Sequence, residues 1–150
     1  MGKINIIFDK EDEIERFEEG KKMLEELKIQ YEIKIISGMD TLDALESFIK
    51  YAEEEEVDVI IVCSSISTHL PGIIASKTLI PVIGVPLPEN NIKSEDILFS
   101  VVQMPEGVPV ACMSLGKTGI KNAILFAGMI ISKKEKDLKD RLKKIKEKYI

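Results

Sequence analysis

Tryptophan is absent from this 150-residue chain, histidine occurs once and cysteine twice, and only five phenylalanines and three tyrosines supply aromatic rings. Cys63 and Cys112 lie far apart, each inside an apolar stretch. Two such cysteines in a chain without an export signal read as reduced core residues, not as a disulfide. Long apolar runs are also missing. The longest, Ala123 to Ile131, is about half of the ~20 residues that span a bilayer. The N-terminus, Met1 to Glu13, lacks the apolar stretch and small-residue cleavage site of a signal peptide. A cytoplasmic, non-membrane protein is the expectation. A basic excess is lacking too: 21 Lys and Arg against 26 Asp and Glu give a net charge of −5. That balance excludes wholesale binding to nucleic acid or to an anionic membrane.

What is present suits one domain with a sizeable core, since 45% of the residues are hydrophobic. The charge is uneven. Residues 133–150 hold nine bases and four acids, +5, which leaves −10 on residues 1–132. An acidic body carrying a basic tail makes the tail a candidate partner for an acidic neighbouring subunit.

Short β-like runs alternate with helical patterns along the chain. Lys3–Phe8 reads as a strand, and Asp9 then caps a helix to Lys28 with Ile14, Phe17, Leu24 and Leu27 on one face. Tyr31–Ile36 is a second strand. Thr41 caps a helix with Leu42, Leu45, Phe48, Ile49 and Ala52 as its apolar positions. Val57–Cys63 is the near-continuous apolar run of a central parallel strand covered on both faces. A polar loop, Ser64–Thr68, leads to a short helix over Leu70–Lys77. Val82–Val85 is the fourth strand, and Ser94 caps a helix to about Gln103. Val108–Met113 is the fifth strand and Gly119–Ser132 the fifth helix. The tail adds a stripe of Leu138, Leu142, Ile145 and Tyr149 at helical spacing.

Five β–α units in this order predict an α/β fold: a three-layer, doubly wound parallel sheet with an extra C-terminal helix. The domain spans 1–132, and 133–150 is a basic amphipathic helix. Ligands of such folds bind at the carboxyl ends of the strands, which directs attention to the loops starting at Asp9, Ser37, Ser64, Pro86 and Ser114. The segment Gly116-Lys117-Thr118-Gly119 follows a strand and precedes a helix, but the preceding glycine of a phosphate loop is missing.

Two stretches go further. One is His69-Leu70-Pro71-Gly72-Ile73-Ile74-Ala75-Ser76-Lys77-Thr78 with Pro81 to Pro86. The other is Leu98 to Pro105 with Gly107-Val108-Pro109-Val110 and Asn122-Ala123. Over most of residues 3–132 the chain resembles the carboxyaminoimidazole ribonucleotide mutases, also called the catalytic subunit of phosphoribosylaminoimidazole carboxylase, of purine biosynthesis. The resemblance implies a flavodoxin-like fold, a homo-octamer with sites between subunits, and an imidazole ribonucleotide as small-molecule partner. It implies transfer of a carboxylate from the exocyclic nitrogen to ring carbon C4, with a histidine moving the proton and with no metal or organic cofactor.

Three loops depart from the family pattern. Where the family has Gly-Ser-x-Ser-Asp to hold a phosphate, this chain has Asp9-Lys10-Glu11-Asp12-Glu13, whose carboxylates repel a dianion and whose one cation is Lys10. Where the family has Ser-Ala-His-Arg, it has Ser37-Gly38-Met39-Asp40. Met39 has no proton to shuttle, and Asp40 reverses the charge of a phosphate clamp. Where the family has Gly-Ala-Gly-Gly-x-Ala-His, it has Cys63-Ser64-Ser65-Ile66-Ser67-Thr68-His69. By motif, His69 is the catalytic acid/base, and Lys10, Glu13, Ser37, Met39, Asp40, Ser65 and Leu70 are the substrate-binding positions. Two readings remain: a mutase or carboxylase of this family, or a catalytically silent paralogue that binds a ligand or serves in assembly.

Overall fold

The computed structural model describes residues 1–37, 42–66 and 68–150; the expectations for Met39, Asp40 and the Thr41 cap lie outside the described residues. Five parallel strands form one sheet: β1 (Lys3–Phe8), β2 (Gln30–Ile35), β3 (Val59–Ser64), β4 (Val82–Pro86) and β5 (Ala111–Cys112), in the order β2-β1-β3-β4-β5. This is the flavodoxin-like order, whose direction of winding reverses between β1 and β3. The register pairs Phe8 with Ile35 on one side and with Cys63 on the other.

Alternation along β1 and β3 divides the apolar residues between two layers. Ile4, Ile6, Phe8, Val59, Ile61 and Cys63 face one core, which α1 (Glu18–Leu27) and α5 (Gly116–Ile131) cover. Ile7, Ile60 and Val62 face the other, under α2 (Leu42–Glu54) and α3 (Leu70–Ala75). Every residue of β3 is buried, as a central parallel strand requires. On β4, Gly84 lets α4 (Ser94–Val102) approach: a Cβ there would sit 2.6 Å from Val101 Cγ1.

The tail helix, α6 (Lys136–Glu147), lies on its own body. Leu138, Leu142 and Ile145 join the first core, and Arg141 Nε–H donates to the Leu27 carbonyl at 2.7 Å. Tyr149, expected in the same stripe, is exposed. No helix among the described residues is long and apolar enough to cross a membrane.

Several local expectations change. The segment after β1 begins as a 3-10 turn, Glu11–Phe17, with Lys10 at its cap position, and Asp9 turns elsewhere. Lys93, in extended backbone, takes the cap position of α4, and Ser94 is its first residue. Leu42 is exposed, not part of the apolar face of α2. The fifth strand pairs only over Ala111–Cys112, because Pro109 has no N–H to give a ladder. Cys63 and Cys112 are free thiols.

Candidate active site at the carboxyl ends of β1 and β3

The winding reversal brings the ends of four strands to one edge. Beyond the ladder, Ile36 N–H donates to the Phe8 carbonyl at 3.0 Å and Leu87 N–H to the Ser64 carbonyl at 2.9 Å. These bonds line up the chain leaving β1, β2, β3 and β4. Asp9, Ser37, Ser65 and Leu87 therefore open onto the same side of the sheet.

A tight polar cluster fills the gap between β1 and β3. Asp9 Oδ2 accepts the backbone N–H groups of Ser65, at 3.0 Å, and Ile66, at 2.9 Å. Ser65 Oγ–H donates to Glu13 Oε1 at 3.0 Å. Glu13, only 3% exposed, also pairs with Arg16 Nε at 2.9 Å and Lys10 Nζ at 3.6 Å. Lys10 reaches across to Glu89 in the loop after β4 and forms a hydrogen-bonded ion pair with it. Buried carboxylates persist because each has charge-assisted donors.

The electrostatics follow from these contacts. Donating to the Glu89 carboxylate, whose charge adds to the effect, raises the Lys10 ammonium above its usual range, and the same bond lowers the Glu89 carboxyl. Burial pushes the Cys63 thiol well up, and the nearby charges of Asp9 and Glu13 add to it. Cys63 is thus an inert core thiol. Glu11 and Asp12 face water, so the acidic loop divides into an exposed pair and a buried pair, Asp9 and Glu13.

Of the positions expected from sequence, Lys10, Glu13 and Ser65 come together in this cluster. Ser37 sits at the end of β2, next to β1. His69 precedes the first turn of α3, directly after the loop from β3, with an exposed side chain. Leu70 is 1% exposed and packs in the second core. Lys117 and Thr118 are exposed in the first turn of α5. Among the described residues no cluster of His, Cys, Asp or Glu could hold a metal. Sequence reasoning missed Arg16 and Glu89, and it assigned Asp9 to a helix cap. The i,i+3 spacing of Glu13 and Arg16 was a usable signal; Glu89, 79 positions from Lys10, gave none.

The arrangement supplies ordered donors and acceptors at the carboxyl end of the sheet, and the exposed His69 follows in the same chain segment, ahead of α3. Histidine is the side chain best suited to proton transfer near neutral pH. Comparison with known proteins gives a consistent picture. The family model described as AIR carboxylase matches residues 3–150, the tail helix included. N5-carboxyaminoimidazole ribonucleotide mutase of Pyrococcus abyssi is 41% identical over 98% of this chain and 83% of its own length. The mutase of that name from Escherichia coli K12 is 41% identical over 81% of this chain and 72% of its own. The crystal structure of Treponema denticola PurE superposes with a TM-score of 0.84 at 26% identity, covering 99% of this chain and 92% of that one.

Proposed function

The chain belongs to the AIR carboxylase family, and from that premise we propose that it binds an imidazole ribonucleotide at the carboxyl ends of β1 and β3 and interconverts its carboxylated forms in purine biosynthesis. The observation that carries this reading is identity near 40% along almost the whole chain to proteins named N5-carboxyaminoimidazole ribonucleotide mutase. In the reaction the exocyclic N–C bond breaks, releasing carbon dioxide. Ring carbon C4 then attacks that carbon dioxide and loses its proton. His69 is the group that takes and returns the proton. Ser37, Lys10, Glu13 and Ser65 are the ligand-holding positions, together with Leu70, which packs in the second core. Met39 and Asp40, outside the described residues, are the remaining substrate-binding positions of the motif. No metal or organic cofactor is required, since the substrate's own ring stabilises the charge that develops.

The same reading makes the protein a cytoplasmic homo-octamer with sites between subunits. Subunit contact is supported by the apolar surface left by Phe99 and Val102 on α4 and by Phe126 and Met129 on α5; the number of subunits and the location rest on the family resemblance. Light scattering on the purified chain measures that mass.

A thermal shift tests binding. Aminoimidazole ribonucleotide and its carboxylated forms are expected to raise the melting temperature, and unaltered melting with all of them contradicts the proposal. A second reading has its own observation: Met39 stands where the family's shuttle histidine would be. A silent paralogue then binds the ribonucleotide without turning it over and mixes with an active sister subunit. Two separate homo-oligomers on co-expression count against it.

A further inference from the structure

A cavity of about 400 Å³ opens between the first half of α5 and the end of the tail helix, and no residue of the β1–β3 site lines it. From α5 it receives Thr118, Lys121, Asn122 and Leu125, at the i, i+3, i+4 and i+7 spacing of one helix face. From the tail it receives Lys146 and Tyr149. Two features left over from the sequence meet here. Tyr149 continues the stripe that buries Leu138, Leu142 and Ile145, yet its ring reaches no core and is exposed. The Gly116-Lys117-Thr118 segment lacks the preceding glycine of a phosphate loop, yet its Thr118 faces the cavity.

The lining combines apolar surface with a few polar groups, the usual make-up of a small-molecule site. Leu125 and the Tyr149 ring supply the apolar part. Lys146 has no acidic partner among the described residues. Lys121 donates to Glu19 at 2.8 Å, which leaves two of its three N–H donors for another acceptor. Asn122 turns one N–H toward Ser114 Oγ at 3.5 Å and keeps its carbonyl oxygen and second N–H. That donor–acceptor pair matches the edge of a heterocyclic base.

We propose that this cavity binds a nucleotide-like ligand, a planar heterocycle bearing one phosphate. Its ring lies on Tyr149 and against Leu125, and its phosphate sits between Lys121 and Lys146. Stacking on an aromatic side chain tolerates every base, so the lining selects the class and not the base. The two ammonium groups are compact point charges that suit a phosphate. Turnover at the β1–β3 site neither requires this second site nor follows from it, so either can fail alone.

The test titrates adenosine monophosphate, adenosine and inorganic phosphate separately into the full chain by calorimetry. Adenosine monophosphate is expected to bind saturably in the millimolar range or below, and more tightly than adenosine or phosphate alone. Tyr149→Ala should weaken it about tenfold, the scale of one base stacked on an aromatic ring. Lys146→Gln should weaken it about threefold, with Lys146→Arg close to wild type, as for one exposed ion pair. Both side chains are exposed, so these variants keep the fold. His69→Asn should leave the affinity unchanged, which separates this cavity from the β1–β3 site. No saturable binding of adenosine monophosphate would overturn the inference. So would an affinity unmoved by either Tyr149→Ala or Lys146→Gln, binding lost in His69→Asn, or adenosine or phosphate binding as tightly as the nucleotide.

Discussion

Gly119, in the first turn of α5, lies so close to Ser114 that a Cβ on it would sit 1.6 Å from the Ser114 carbonyl oxygen. The obstacle is backbone, so no rotamer change can relieve it. The contact fixes the start of α5 against the loop leaving β5, on the same edge of the sheet as the candidate site. Gly119→Ala is expected to cost about 3 kcal/mol or more, or to prevent folding. Urea unfolding measures it, and a loss below about 1 kcal/mol contradicts the close approach.

The tail helix belongs to the core. Leu142 is 4% exposed and packs in the cluster shared by β1, α1 and α5. Leu142→Ala should lower stability by about 2–4 kcal/mol, whereas Lys143→Ala, on the exposed face of the same helix, should change it by less than about 0.5 kcal/mol. Equal effects from the two variants would show that α6 does not pack on its own body.

At the other end of the sheet, the Tyr51 hydroxyl donates to the Glu32 carboxylate, with oxygen distances of 2.8 and 2.9 Å. That bond is the main reason the Glu32 carboxyl lies below the usual 4.5 and the Tyr51 hydroxyl above the usual 10.0. The signs are opposite. The Glu32 contribution is present above the usual glutamate value and is lost as pH falls through the lowered one. The Tyr51 contribution is present below the usual tyrosine value and is lost as pH rises through the raised one. Tyr51→Phe should move the Glu32 titration up toward 4.5, although Lys3 and Lys34 remain nearby. A carboxyl carbon NMR titration reads it, and an unmoved curve contradicts the assignment.

Much of the fold was legible because its central strands are apolar on both faces. Lys3–Phe8 and Val82–Val85 need no partner to be recognised, and β3 is buried along its whole length. The errors have physical causes. Asp9 precedes a helical pattern, where an acid normally caps, but its carboxylate is drawn to amides 56 and 57 positions away. Nothing in a local window reports a partner at that distance. The stripe of Leu138, Leu142 and Ile145 revealed a helix, yet the surface it would cover became visible only once α1 and α5 were assembled. The motif named Lys10, Glu13 and Ser65, which the fold brings into one cluster, while the contact of Lys10 with Glu89 needed the β4 loop folded against β1.

The buried thiol gives a simple chemical check. Burial and two neighbouring carboxylates hold Cys63 protonated, so a thiol reagent should leave it unmodified in the folded protein and label it only on unfolding. Rapid labelling of Cys63 under native conditions would mean that the end of β3 opens readily.

The central claim is that this edge of the sheet handles an imidazole ribonucleotide with His69 as its proton carrier. Its most direct test follows the ultraviolet change as the purified chain acts on N5-carboxyaminoimidazole ribonucleotide, with His69→Asn beside it. The account predicts turnover by the wild-type protein and a loss of about a hundredfold or more in the folded variant, the usual scale for removing a general acid or base. No turnover above background by well-folded wild-type protein, or an His69→Asn variant as fast as wild type, would contradict it.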